Sequence, residues 1–403
     1  MEPASAAVIG QNGPRGDAKR RTALKFVLII GVVSFFADFT YEGSRSVTGQ
    51  FLQILGASGA VVSIIAGLGE FLGYGLRIFS GRISERSGEF WPITFLGYTV
   101  QMAAVPLLAI AKNWQVAALL ILLERVGKAI RNPPRDVMLS HAAREMGFGW
   151  GFGVHEALDQ CGALCGPLLV ALVLAHRGQY RLAFGTLLVP AVITLLLLSV
   201  ARLFYPRPEE LEVKETIAPA TGFPRVFWIY LIAAALVSAG FVDFQLIAFH
   251  FQKAAVVWTT WIPIFYSVAM AVSGTGSLVF GRLFDRFGIS ILIPLTVFSA
   301  IFAPLVFLGG TWLALLGTAL WGLGTGVHES IIPAAVATMV PMERRPSAYG
   351  FFTGIYGLFW FAGSVVIGIL YDHSVLAVIA FCVIVELASI PLFISVKQRM
   401  AAL

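Results

Sequence analysis

Ionisable residues recur at helical spacing inside stretches that are otherwise apolar. Asp38, Glu42 and Arg45 fall at i, i+4 and i+7, so one helix face would carry all three. Glu124, Lys128, Arg131 and Arg135 repeat the pattern out to i+11, with Arg125 beside them. Glu124 and Lys128 are spaced to pair along their helix. His155, Asp159, Gly162 and Gly166 share a third face, with Glu156 next to the imidazole. Asp243 and His250 stand seven residues apart, and His328 precedes Glu329. Such groups can bind protons and trade ion-pair partners. Dry surroundings disfavour a charged carboxylate and a nearby Arg or Lys favours it. A movement that changes the partner would therefore take up or release a proton. At bilayer depth each charge costs about 2.5–3.5 kcal/mol on insertion scales, so each must face protein or water.

The rest of the chain is apolar enough for bilayer depth to be the right setting. Of 403 residues, 58% are hydrophobic and only 12% charged, against about 25% charged in soluble domains. Runs of about 20 apolar residues match a hydrocarbon layer about 30 Å thick. Backbone groups in lipid must be satisfied internally, so these runs are predicted to be helices. Twelve spans are expected: 24–50, 60–80, 91–111, 114–135, 150–175, 182–204, 225–249, 258–280, 289–309, 311–336, 348–371 and 375–396. The expected organisation is an all-α membrane protein of two six-helix bundles. A disordered cytoplasmic tail covers 1–22, the first bundle 23–204, a solvated cytoplasmic linker 205–224, and the second bundle with a short cytoplasmic tail 225–403. The net charge of +6 fits basic cytoplasmic loops better than nucleic acid. Lys and Arg gather on the N-terminal side, which predicts that both termini are cytoplasmic in a cell membrane. Cys161, Cys165 and Cys382 lie in apolar runs and suggest neither disulfide nor metal site.

The two halves repeat each other. Gly81-Arg82-Ile83-Ser84-Glu85-Arg86-Ser87-Gly88 reads G-R-x-x-x-R-x-G, and Gly281-Arg282-Leu283-Phe284-Asp285-Arg286-Phe287-Gly288 reads it again 200 residues later. Pro133 is matched by Pro333, Gly153 and Gly162 by Gly354 and Gly363, and Asp38-Phe39 by Asp243-Phe244. Internal repeats of this kind belong to two-lobed transporters. Gly81 and Gly88 are expected to let the chain turn tightly between helices. Gly153, Gly162 and Gly166 are expected to admit a neighbouring helix closely, with Pro167 beside them. An interface moving between the bundles is expected to pass over that face.

With these features the chain resembles a transporter of the major facilitator superfamily, over about residues 24–396. The turn between spans 2 and 3 resembles that family's hallmark. The Gly153, Gly162, Gly166, Pro167 run resembles the fifth-helix motif of its proton-coupled drug exporters, although Leu168 and Leu169 stand where further glycines are usual. Arg125-Val126-Gly127-Lys128-Ala129 resembles its intramembrane arginine motif in part. The resemblance implies alternating access around a central cavity lined by helices 1, 4, 7 and 10. It also implies that the acid of each turn, Glu85 and Asp285, ties neighbouring bundles together in one state. The function expected is proton-coupled efflux of a small organic molecule; the alternative is uptake or facilitated movement of an organic anion. The expected partners are that substrate, protons and the lipid bilayer, with the chain acting as a monomer and without cofactor, metal or nucleic acid. Two other classes compete. His155-Glu156-x-x-Asp159 stands one residue from the zinc-protease pattern H-E-x-x-H, but the second His is missing. A non-transporting sensor would need a receiving domain that the sequence does not show.

Overall fold

The computed structural model describes residues 14–144, 148–206, 222–340 and 345–401. Among them the chain is helical throughout and forms twelve antiparallel segments. The first six are α1 (Pro14–Ile54), α2 (Gly59–Ser87), α3 (Phe90–Leu107), α4 (Trp114–Arg144), α5 (Phe148–Arg177) and α6 (Tyr180–Thr186 continued by Leu188–Phe204). The second six are α7 (Arg225–Gly240 and Phe244–Lys253), α8 (Ile262–Phe287), α9 (Leu292–Leu308), α10 (Thr311–Gly326, a π turn Val327–Ile331, then Ile332–Met339), α11 (Arg345–His373) and α12 (Val375–Ala388 and Ile390–Ala401). Ten segments are long and apolar enough to cross a membrane. The other two are α4, which carries the charged face, and α10, which the π turn interrupts.

Several boundaries differ from expectation for local reasons. α1 starts at Pro14, inside the stretch expected to be an unstructured tail; Pro suits the first helical position. Most of each glycine-bounded motif is helix rather than turn. α2 runs through Gly81 to Ser87 and stops only where Gly88 takes a left-handed φ of 68° and donates to the Ser84 carbonyl. α8 likewise runs to Phe287, and Gly288 has a φ of 58°. Only the second glycine of each motif does the work of turning. Of the expected linker 205–224, residues 207–221 lie outside the described residues.

Packing repeats between the halves. α1 lies on α5, α2 on α4 and α3 on α4; the matching pairs are α7 on α11, α8 on α10 and α9 on α10. Gly162 sits on the Phe35 carbonyl as Gly363 sits on that of Ala239, so the same helix crossing is made twice by the same device. The bundles meet through α2 with α11, α5 with α8 and α1 with α7. At the end away from the termini this seam is tight. Gly49 is pressed against the Gln245 backbone. The Ala60 amide at the start of α2 donates to Asp372 Oδ2 of α11 at 3.2 Å. Ser63 donates to the Ser364 carbonyl at 2.6 Å.

Candidate functional site

A cavity of about 670 Å³ lies between the bundles and extends toward the end that carries both termini. Arg135, Asp136 and Leu139 of α4, Ser277 of α8 and Phe352 of α11 line its outer part. Asp38, Glu42, Arg45, Lys128, Arg131, Arg135, His155, Glu156, Asp159, His328 and Glu329 all line it. Three charged faces predicted on separate helices thus converge on one space. A smaller cavity of about 60 Å³, sharing Arg45, Tyr74, Arg77, Lys128 and Glu329 with the first, reaches Tyr41, Glu70, Arg125 and Trp360.

The charges are organised in linked pairs. Arg45 and Arg125 both reach Glu70 Oε1, at 2.9 and 2.8 Å. Arg131 lies fully buried between α1 and α3. Its Nε donates to Gln101 at 2.6 Å, one terminal nitrogen donates to the Tyr98 hydroxyl at 2.9 Å, and the other reaches Asp38 at 3.4 Å. Gln101 in turn donates to Glu124 at 2.8 Å. Arg135 holds Asp136 at 2.8 Å and donates to Ser34 at 3.3 Å. Ser34 also bonds His155 Nε2 at 2.9 Å, and His155 Nδ1 lies 3.6 Å from Asp159. Glu42 of α1 accepts from Tyr266 of α8, a hydrogen bond that crosses between the bundles.

Some expected roles change. Glu124 does not pair with Lys128. It lies 3.7 Å from Arg125 and binds Gln101, behind the main cavity. Lys128 instead rests 4.1 Å from the Tyr41 ring centroid. Asp243 is not in the cavity. It sits at the break between the two pieces of α7, accepting from Ser364 at 2.9 Å and from Trp360 Nε1 at 3.2 Å. Gly162 and Gly166 face α1 within their own bundle rather than the second bundle. The contact with the second bundle uses another side of α5, where Ser267 donates to the Leu164 carbonyl at 3.1 Å. Pro167 lies inside α5 without interrupting it. Gly153 is helical, and its surroundings lie outside the described residues. Arg82, Arg86, Arg282 and Arg286 are exposed; the side chains of Glu85 and Asp285 lie outside the described residues.

Spacing does not single out Glu70, although it neutralises two arginines. A signal is present all the same: it is the sole acid between residues 60 and 80. Arg77, Tyr98 and Gln101 also escape the spacing argument, and the two uncharged residues carry no signal at all.

The second bundle contributes rings. His328 bonds the Tyr356 hydroxyl and stacks within 4.3 Å of Phe241 and 5.3 Å of Trp360, centroid to centroid. The π turn of α10 carries both His328, which packs into this aromatic wall, and Glu329, which is exposed to the cavity. π turns are frequent at functional sites.

Comparison with known proteins agrees with this architecture. The family model described as Major Facilitator Superfamily matches residues 28–364. An uncharacterised protein of Mycobacterium tuberculosis is 39% identical over 383 residues, covering 93% of this chain and 94% of that one. The multidrug resistance protein MdtH of Cronobacter sakazakii is 28% identical over 172 residues, covering 42% of this chain and 41% of its own. Among solved structures, a point mutant of the nucleoside transporter NupG superposes with a TM-score of 0.75 at 15% identity, covering 91% of this chain and all of the other. The fold and the family are therefore shared, and the H-E-x-x-D run belongs to a transporter rather than to a protease. The chain belongs to the Major Facilitator Superfamily and is a multi-pass membrane transporter of small molecules, not an enzyme.

Proposed function

We propose that this chain is a proton-coupled exporter that moves a small organic molecule by alternating access. The observation that carries the reading is the convergence of Asp38, Glu42, His155 and Asp159 on one cavity, with Glu42 held from the other bundle by Tyr266, a partner that relative movement of the bundles can withdraw. The Glu42–Tyr266 bond is the sharpest case, because it joins α1 to α8 across the seam. Opening the opposite end of the seam separates the two residues and leaves the carboxylate free to bind a proton from outside. Closing returns it to a dry site, where pairing and desolvation compete. The basic ends of the spans, exposed at Arg82, Arg86, Arg282 and Arg286, support a cytoplasmic location for both termini. The cavity then extends toward the cytoplasm, ready to load an outgoing molecule. Export is supported further by the similarity to a multidrug resistance protein. The basic motifs at the inner ends of α2 and α8 are proposed to latch the bundles when the cavity closes on that side.

The second reading, movement of an organic anion, rests on the five cations that line the main cavity: Arg45, Arg77, Lys128, Arg131 and Arg135. Reconstituted vesicles with an internal pH dye separate the two. Under the export reading, compounds that shift the protein's melting temperature discharge an imposed pH gradient by releasing protons down it. Asp38→Asn and Asp159→Asn should each abolish that exchange while substrate binding survives. Full exchange in both variants, or flux indifferent to collapse of the pH gradient, defeats the coupling.

A further inference from the structure

Three charges that line the cavity have neither an ion pair nor a side-chain hydrogen bond among the described residues: Arg77 on α2, Lys128 on α4 and Glu329 on α10. The other cations there are held by carboxylates, Glu42 and Asp159 are held as described, and Glu156 accepts from Gln160 at 2.9 Å. The unpaired set is divided by bundle. Both free cations stand on the first bundle, and the free carboxylate stands on the second.

Each is positioned rather than merely left over. Arg77 stacks 5.4 Å from the Tyr74 ring centroid, and its Nε is buried without a hydrogen-bond acceptor. Lys128 lies over Tyr41. Rings fix the two cations without cancelling their charge. Glu329 lies in the π turn of α10 and lines the cavity. Between the poles runs an aromatic surface, with Tyr74 at 5.8 Å from Tyr356 and 6.5 Å from Trp360. Charges withdrawn from bulk water and left unpaired are costly unless something binds them. A purely anionic guest would leave Glu329 facing it without a partner, and a purely cationic guest would do the same to Arg77 and Lys128.

We infer that the cavity takes an amphoteric molecule with a flat aromatic body: its acid group on Arg77 and Lys128, its amine on Glu329, and its ring among Tyr74, Tyr356 and Trp360. This assignment rests on the transporter reading of the same cavity and adds the substrate class.

The test is a charge-matched panel of indoles, measured by binding to the purified full-length protein. Tryptophan and alanyl-tryptophan are amphoteric, their N-acetyl forms are anionic and their C-terminal amides are cationic. The amphoteric form should bind about tenfold tighter than either blocked form, the worth of one interaction of about 1.4 kcal/mol. Glu329→Gln should erase the advantage over the N-acetyl form and leave the advantage over the amide. The double variant Arg77→Gln, Lys128→Gln should do the reverse, a crossed pattern that misfolding cannot produce. Tightest binding by the anionic or cationic forms, or by no member of the panel, overturns the assignment. Proton flux separates this from the underlying reading. Amphoteric binding without coupled proton movement removes the coupling alone, and proton-coupled movement of anions only removes the amphoteric assignment alone.

Discussion

At the scale of single residues, Glu70 carries more of the site than any residue singled out by spacing. It is the shared carboxylate of two buried arginines, and removing one partner of a buried pair leaves an uncompensated charge. Glu70→Gln should therefore destabilise the protein by about 3–5 kcal/mol. Glu329→Gln should leave the melting temperature nearly unchanged, because no ion pair is broken. Thermal unfolding in one detergent compares the two directly, and equal losses would contradict the pairing. Tyr266→Phe removes the hydroxyl that Glu42 accepts from across the seam. It should raise the fraction of molecules open away from the termini, read as faster labelling of a thiol placed at that end.

At the scale of elements, glycine positions divide into two kinds with different consequences. Gly162 lies on the Phe35 carbonyl inside one bundle, whereas Gly49 lies on the Gln245 backbone between bundles. A methyl group at either must displace backbone. Gly162→Ala should lower stability without changing which end is open, since α1 and α5 pack within one bundle. Gly49→Ala should instead disfavour the state closed at that end and increase thiol labelling there. The sequence shows which glycines recur, but not which helix each one faces. Spacing along a chain defines a face; it does not say what lies opposite. That is why the span 5 glycines, expected at an interface between bundles, stand against α1 inside their own bundle.

At the scale of the whole molecule, the closed end is held by several small contacts rather than one lock. The Asp372 carboxylate at the N-terminus of α2 is one of them. An acidic group at a helix N-terminus contributes about 0.3–1 kcal/mol. Asp372→Ala should thus shift the open population only a few-fold, measured by spin-label distances across the seam. A wholesale opening would mean that this contact dominates the closed end, and the dispersed seal would be wrong.

Composition and apolar run length alone determined that the chain crosses a bilayer as helices, because lipid forbids unsatisfied backbone. The repeat of charged motifs determined that it does so in two related halves. Helical spacing also grouped most of the charges that line the one cavity, since an ionisable group in a span must face protein or water rather than lipid. Only the tertiary structure decided partners. Glu124 turned from Lys128 to Gln101 and Arg125, Asp243 was drawn into the α7 break by Ser364 and Trp360, and Glu70 took both Arg45 and Arg125. Those choices depend on which helices meet and at what depth, and the geometry of a meeting between distant segments is written in no local spacing.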